Sequence, residues 1–310
     1  PMSNLQDYLE GYLALRHALG YKLRTHRSSL KNFVQFASEK KATTITTQLA
    51  LAWAMKPDGA HPKWWAYKLG MVHHFALYVR GRDHATEVPP LTLLPYSQQR
   101  PTPYIYTEKE ISRLIVAAKA LPCRKGLRGL TYFTLFSLIW VTGLRISEAL
   151  ALDRDDVNGA NQLLTIRNAK FGKSRLIPVH VSTSNALAHY ARSRDQIFPD
   201  VQSPSFFLST IGTRPTTAIA QLTFRQLYSR IGMLDSSPGK RPRIHDMRHS
   251  FAVKSLIDIY KGGNDVEQAV YALSIYMGHV GPSSTYWYFS AVPELLELAR
   301  NRLERKRGNL

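Results

Sequence analysis

A proline-rich segment divides this 310-residue chain and limits the folds open to it. Five prolines fall within the fifteen positions 89–103. Because proline fixes φ and has no backbone N–H to donate, neither a regular helix nor a central strand can continue through this segment. We therefore predict a linker over 89–103 between two domains, 1–88 and 104–310, each long enough to bury a core of its own.

The first of these domains has the sequence pattern of a small helical bundle. Apolar residues recur at helical spacing over 3–19 and 25–38, and Gly20 stands where a C-terminal cap is expected. Thr46 or Thr47 can cap a third helix, and Pro62 can open a fourth that continues to about Tyr78. This pattern predicts four helices.

The second domain is predicted to be helical with one short hairpin. A capping box at Thr107 and Glu110 starts it, and Gly143 ends a strongly apolar helix that is followed by another over 144–150. Strands are expected over 162–167 and 174–179, joined by a turn over 168–173. The remainder is predicted to be helices over 183–194, 216–231, 245–259, 266–277, 283–289 and 293–307. The expected fold class is therefore mainly α with a small antiparallel β-sheet.

Charge indicates a polyanionic partner. The chain has 41 Lys and Arg against 22 Asp and Glu, a net charge of +19 and a pI near 10. Residues 1–98 hold 12 basic against 6 acidic side chains, and the rest holds 29 against 16, so both parts are basic. Nucleic acid is the leading candidate. An anionic membrane could also attract this charge, but the sequence has no long apolar run and no signal peptide, so we expect a soluble cytoplasmic protein.

The single cysteine, Cys123, excludes an intramolecular disulfide and a zinc site built from several cysteines. It follows a helix exit, and we interpret it as an incidental thiol rather than a nucleophile.

Arginines and histidines recur at positions that suit a phosphate site. Arg145 directly follows the end of the apolar helix, where it can either pair with Glu148 or bind a phosphate through two N–H groups. His245 and Arg248 are one helical turn apart and can point the same way. The segment 276–288 then adds His279 and several aromatic side chains.

With these motifs in order, the sequence resembles the tyrosine recombinases, or phage-integrase family of site-specific recombinases. The resemblance covers about 190 residues and rests on Gly143-Leu144-Arg145-Ile146-Ser147-Glu148, Lys170-Phe171-Gly172-Lys173-Ser174-Arg175-Leu176-Ile177-Pro178, His245-Asp246-Met247-Arg248-His249, Met277-Gly278-His279 and Thr285-Tyr286-Trp287-Tyr288. The helical domain 1–88 resembles that family's core-binding domain, which makes 104–310 the catalytic domain.

The resemblance implies a catalytic set and a reaction. Tyr288 would attack a DNA phosphate and form a 3′-phosphotyrosyl enzyme, without metal or other cofactor. Arg145 and Arg248 would stabilise the transition state, and Lys170 on the hairpin would protonate the leaving 5′-oxygen. His245 would help to accept the tyrosine proton, and His279 would hydrogen-bond the phosphate.

Several assignments required a choice between neighbours. The family's spacing from Gly278-His279, and a Thr three residues before the nucleophile, select Tyr288 over Tyr271, Tyr276 and Tyr286. The distance back from the end of the second strand selects Lys170 over Lys173, and we expect Lys173 and Arg175 to touch the DNA backbone. His249 follows the family pattern but is left outside the catalytic set, and Glu148 is expected to orient Arg145 or the hairpin.

Two departures from the family pattern affect only the surroundings of the nucleophile. Met277 stands where Leu is usual, and Phe289-Ser290 replaces the polar pair that commonly follows the tyrosine.

The resemblance also implies partners. The expected partner is double-stranded DNA with specific recombination sites. A homotetramer would bind this DNA, and the reaction would pass through a Holliday junction. The C-terminal tail from 293 onward would be exchanged between subunits; packing of the tail on its own domain is the alternative. The chain would serve a mobile element. Two other readings stay open: an enzyme similar to type IB topoisomerases, and a DNA-binding accessory protein without catalytic activity.

Overall fold

The computed structural model describes residues 4–21, 23–95, 102–122, 126–167, 174–233, 241–262, 265–279, 281 and 283–308. The chain divides into two compact units, Pro1–Arg100 and Pro101–Leu310. Each unit has a hydrophobic core of its own.

Four helices form the first unit: α1 (Asn4–Ala18), α2 (Arg24–Glu39), α3 (Thr47–Ala54) and α4 (Pro62–Arg80). Helix α4 packs against the other three and contributes Phe75 to a core that also buries Leu9, Phe33 and Trp53. Local signals set two of the helix starts. Thr46 accepts the backbone N–H of Leu49 at 3.1 Å, and Pro62 occupies the first turn of α4, where its missing N–H costs no hydrogen bond.

The first part of the predicted linker packs on this unit. Residues Leu91–Leu93 form a 3-10 helix against α4, and Leu94 is 9% exposed and belongs to the same core. Helix α4 ends at Arg80, well before the first of these prolines, and the apolar residues between the prolines pack on α4. The part of the linker free of the first unit is therefore shorter than 89–103, and residues 96–101 lie outside the described residues.

The second unit contains nine further helices within its described ranges: α5 (Glu108–Lys119), α6 (Leu127–Thr142), α7 (Ile146–Ala151), α8 (Val181–Ile197), α9 (Thr217–Arg230), α10 (Ile244–Lys261), α11 (Val266–Tyr276), α12 (Ser283–Ala291) and α13 (Pro293–Gly308). The central helix is α6, which packs against α5, α7, α8 and α10. It is buried around much of its circumference, as its apolar sequence predicts.

A three-stranded antiparallel sheet in the order β1-β2-β3 lies in the second unit. Its strands are β1 (Val157–Asn158), β2 (Leu163–Ile166) and β3 (Arg175–Pro178), and β2 pairs with β3 from Leu163↔Pro178 to Ile166↔Arg175. The hairpin turn 168–173, which includes Lys170, lies outside the described residues. Strand β1 was not predicted, because two residues are too few to show an alternating pattern.

Helices α10–α13 surround a smaller third cluster of buried residues that includes Leu256, Val270, Tyr288 and Leu295. In this single chain the tail helix α13 packs on α10 and α12, with Leu295 fully buried. More than half of the surface of Leu296 and Leu303 on the same helix stays exposed. Taken together, the elements confirm the predicted mainly α fold with a small antiparallel sheet.

Candidate active site

A tight turn between α6 and α7 positions Arg145. Gly143 has φ of +63°, and a Cβ there would lie 2.4 Å from Cδ1 of Phe251, so both the backbone conformation and the packing call for glycine. Helix α7 begins directly after Arg145, whose backbone N–H donates to Oε2 of Glu148 at 3.0 Å. The side chain of Arg145 keeps 25% exposure, so its guanidinium can reach a bound molecule.

The side chain of Arg248 on α10 points to the same turn between α6 and α7. It is only 2% exposed and donates to the backbone oxygens of Gly143, at 2.7 Å, and Met277. Burial and the nearby Arg145 guanidinium lower the pKa of Arg248 to about 10, so the side chain is still charged at neutral pH. A buried cation of this kind is suited to bind an anion.

The turn after α11 joins the two arginines. Nη2 of Arg145 donates to the backbone oxygen of Gly278 at 3.2 Å, and Arg248 binds the preceding carbonyl, that of Met277. The guanidiniums of the two arginine motifs therefore lie side by side. Gly278 has φ of +63°, a conformation that few residues other than glycine adopt without strain.

His279 follows in the same turn and is held by α12. Its Nδ1 lies 2.8 Å from Oγ1 of Thr285, which is fully buried. We predicted Thr285 as the marker that selects Tyr288; in the structure its hydroxyl also orients the imidazole.

The Glu148 carboxylate lies between two arginines. It accepts from Nη1 of Arg145 at 2.7 Å and from both terminal nitrogens of Arg175, at 2.9 and 3.2 Å. Burial alone would raise the pKa of this carboxyl, but the hydrogen bonds from Arg175 and the Arg145 backbone, with the two positive charges, hold the pKa at about 2. Glu148 is thus ionised and orients Arg145, in agreement with the expected role.

Arg175 is not placed as a DNA-backbone contact would be. Its side chain is 12% exposed, and Nε donates to the backbone oxygen of Tyr276 at 2.9 Å. Strand periodicity could have indicated this orientation. Arg175 and the buried Ile177 point to one face of β3, whereas Leu176 between them is 60% exposed.

Tyr288 is buried on α12, with 2% exposure. Its hydroxyl lies 2.8 Å from Nδ1 of His249, and it is close enough to Arg248 to influence that residue's ionisation. Burial, followed by the nearby His245 ring and the Arg243 guanidinium, lowers the pKa of His249 to about 3, so the ring is neutral at physiological pH. Sequence reasoning left His249 outside the site, although its position one turn after His245 was available as a signal.

His245 lies at the edge of this group. The residue as a whole is exposed, and its ring packs edge-on against His249 at 4.7 Å between centroids. Partial burial and the positive charge of Arg248 lower the pKa of His245 to about 4. The geometry thus gives the direct tyrosine contact to His249, whereas the resemblance implied that His245 has this role.

The other candidate tyrosines have different surroundings, although the hydroxyl of Tyr276 is near the charges of Arg175 and Arg248. Tyr271 and Tyr286 are at least half exposed, and the ring of Tyr276 stacks on Phe251 at 5.8 Å. Among the described residues, no group of three or more His, Cys, Asp or Glu side chains could hold a metal ion.

The assembled groups can stabilise an anion close to a buried tyrosine. Arg145 and Arg248 place two fixed positive charges at one turn, His279 stands in that turn, and Tyr288 packs against α10 through His249. Fixed donors of this kind stabilise the charge that develops on the non-bridging oxygens during phosphoryl transfer.

Comparison with known proteins identifies the family. Residues 105–294 match the phage integrase family. A curated integrase/recombinase of Sinorhizobium fredii is 41% identical over 309 residues, covering 98% of each chain. The tyrosine recombinase XerC of Herpetosiphon aurantiacus is 28% identical, covering 92% of this chain and 90% of its own.

A solved structure agrees at the level of the fold. The integrase of transposon Tn1549, in complex with transposon right-end DNA, superposes with a TM-score of 0.67 at 19% identity, covering 98% of this chain and 99% of that one. Since the family match spans more than half of the chain and the bacterial relative is similar along its whole length, this chain belongs to the phage integrase family, the tyrosine recombinases, which are DNA strand-transferring enzymes.

Proposed function

We propose that this chain is a site-specific DNA recombinase or integrase of a mobile element, which cleaves and rejoins DNA through a 3′-phosphotyrosyl intermediate and a Holliday junction. The observation that carries the proposal is the turn at 277–279, where two arginines bind adjacent carbonyls and His279 is held by the helix that bears Tyr288. A protein that only binds DNA needs positive charge but not a buried arginine beside a buried tyrosine.

The proposed chemistry balances without an energy source. Oη of Tyr288 forms a bond to phosphorus while the bond from phosphorus to the 5′-oxygen breaks, so the phosphodiester energy is kept in the protein–DNA ester. A 5′-hydroxyl from another strand then reverses the step and releases the tyrosine. The tyrosine proton passes to a histidine, His245 by the family's pattern, and Lys170 donates a proton to the leaving oxygen.

The two arginines and His279 act on the phosphate itself. The transition state spreads negative charge over the non-bridging oxygens, and two forked guanidiniums offer several donors at fixed positions. The buried Arg248 is the more strongly desolvated of the two, so its interaction with a phosphate is less screened by water. In the structure these donors bind backbone carbonyls, and a phosphate would take over part of those bonds.

The net charge and the C-terminal helix α13 indicate the partners. A net charge of +19 favours double-stranded DNA bound largely through its phosphates, with specific recombination sites read by additional base contacts. We propose a homotetramer on two synapsed duplexes. The half-exposed Leu296 and Leu303 of α13 support exchange of this helix between subunits.

The reaction would take place in the cytoplasm, where the element's DNA is present. No helix in the described part of the chain is long and apolar enough to cross a membrane.

A suicide-substrate assay tests the proposal. A nicked duplex, taken from DNA fragments that the wild-type protein retains in a binding selection, traps the covalent adduct because the cleaved fragment diffuses away. Tyr288→Phe is expected to bind this DNA and form no adduct. Tyr286→Phe is the matched control, because that neighbouring tyrosine is half exposed, and it is expected to form adduct as wild type does.

The outcomes separate the competing functions. An adduct that persists in Tyr288→Phe contradicts the assignment of the nucleophile. No adduct from the wild-type protein favours a DNA-binding accessory role, whereas relaxation of supercoiled plasmids without any specific site favours an activity like that of type IB topoisomerases.

A further inference from the structure

Arg175 is the one guanidinium around the site that we had expected to contact the DNA backbone, yet it is turned inward. We infer that Arg175 is a positioning residue: it joins β3 to Glu148 and to the 276–278 turn, and thereby sets the orientation of Arg145. This inference rests on the proposed function, since Arg145 must bind a phosphate for its orientation to matter.

The contacts of Arg175 leave little for a ligand. Nε donates to the backbone oxygen of Tyr276 at 2.9 Å, Nη2 donates to Oε2 of Glu148 at 2.9 Å, and Nη1 donates to Oε1 at 3.2 Å. Three of the five N–H groups are therefore used, and the side chain is only 12% exposed. The pairing with Glu148 is the two-pronged arrangement that arginine forms with carboxylates and that lysine cannot form.

Glu148 transmits this restraint to Arg145. The same carboxylate oxygens accept the backbone N–H of Arg145 at 3.0 Å and its Nη1 at 2.7 Å. Nη2 of Arg145 in turn binds the backbone oxygen of Gly278 at 3.2 Å, two residues beyond the carbonyl that holds Arg175. The contacts form a closed ring from Arg145 through Glu148 and Arg175 to the turn and back to Arg145.

Charge explains why both arginines are needed around one carboxylate. Without Arg175, the buried Glu148 would have Arg145 as its nearest cation and would hold that guanidinium more strongly. The bidentate pair with Arg175 satisfies the carboxylate from the other side. Arg145 then keeps N–H groups at the exposed part of its side chain, where a phosphate can be bound.

Gly278 is an independent sign that this location is built for Arg175. A Cβ on Gly278 would lie 2.8 Å from Nη1 of Arg175 and 3.0 Å from its Cζ. Glycine therefore both allows the positive φ of the turn and leaves the space in which the guanidinium lies. A side chain here would push Arg175 away from Glu148.

The test compares covalent-adduct formation on two substrates. The probe is the nicked duplex retained by the wild-type protein, made once with a normal scissile phosphate and once with a methylphosphonate, which lacks one charged oxygen and so depends less on a correctly placed guanidinium. Arg175→Met is expected to slow cleavage of the phosphate on the order of 10- to 100-fold, as small misplacements of catalytic groups do. On the methylphosphonate the difference from wild type should shrink by about tenfold. DNA binding should stay within about twofold of wild type, because the phosphate contacts that dominate affinity are retained.

Three variants keep the result interpretable. Arg175→Lys retains the charge but not the fork, so most of the defect is expected to remain. Glu148→Gln combined with Arg175→Met should be no slower than the slower of the two single variants, because both break the same ring. Arg192→Met removes one exposed positive charge from α8 and is expected to cleave as wild type does.

Each result bears on the inference. Full activity of Arg175→Met contradicts it, and so does an equal loss on both substrates, which indicates a fold defect or a direct DNA contact. Full recovery in Arg175→Lys also contradicts it, because charge alone would then suffice. If the wild-type protein forms no adduct, the proposed function fails and this inference falls with it.

Discussion

Replacing His249 by phenylalanine tests the contact at the nucleophile. The Nδ1 atom of His249 lies 2.8 Å from the hydroxyl of Tyr288, and both side chains lie between α10 and α12. The His249 ring also packs edge-on against Tyr288, at 5.6 Å between centroids, and beside Trp287 at 5.7 Å. Phenylalanine keeps a ring there and removes the nitrogen, so packing changes little while the hydrogen bond is lost.

The expected size follows from burial. Tyr288 is 2% exposed, so without His249 its hydroxyl loses a hydrogen bond that water cannot readily replace. A net hydrogen bond contributes about 0.5–1.5 kcal/mol. Since about 1.4 kcal/mol changes a rate tenfold, we expect adduct formation to slow roughly tenfold in His249→Phe, because the hydroxyl loses the contact that holds it at this position.

Asparagine at position 249 distinguishes holding the hydroxyl from taking its proton. Asn places an amide oxygen near the former Nδ1 and accepts a hydrogen bond, but it cannot serve as a base at neutral pH. Single-turnover cleavage of the nicked duplex measures the rates of the Phe and the Asn variants. We expect His249→Asn to recover to within about threefold of wild type, as a positioning contact requires.

Two results would change this view. A His249→Phe variant that cleaves within about twofold of wild type would show that the 2.8 Å contact does not contribute to the reaction. If Asn is as slow as Phe, then His249 itself accepts the proton, in place of His245.

Two further predictions concern stability. Gly143→Ala should lower the free energy of unfolding, measured by urea titration, by about 2–4 kcal/mol. The reason is that φ of +63° disfavours a side chain and that the new Cβ would lie 2.4 Å from the Phe251 ring. A loss below about 1 kcal/mol would contradict that packing. Stability should also fall as pH decreases from about 6.5 towards 4, because His249 and His245, with pKa values lowered to about 3 and 4, stay neutral in the folded chain while the unfolded chain takes up protons. Because His245 is exposed, it contributes the smaller part of this pH-dependent loss of stability. His249→Phe should therefore flatten the pH profile of the urea midpoint, and an unchanged profile would show that His249 does not cause the loss.

Much of the fold could be predicted because its signals are local. Helical spacing, the Thr107–Glu110 capping box and the helix-ending Gly143 act within one or two turns of their own position, and the structure has helices at these places. Features without a local pattern were missed. Residues 91–94 read as linker, and only the neighbouring surface of α4 explains why they pack there.

The sequence by itself determined the mainly α fold, the family and the order of the motifs around Arg145, Arg248, His279 and Tyr288. Only the tertiary structure decided which side chains touch, because those contacts join residues far apart in the chain. Helix packing between α10 and α12 brings His249 rather than His245 to the Tyr288 hydroxyl. The face that β3 turns towards α7 and the 276–278 turn places Arg175 on Glu148 instead of on a solvent-facing surface. Motif spacing can identify the residue types that phosphoryl transfer needs, but a hydrogen bond depends on distances within a few tenths of an ångström, and these are set only when the helices and the sheet pack together.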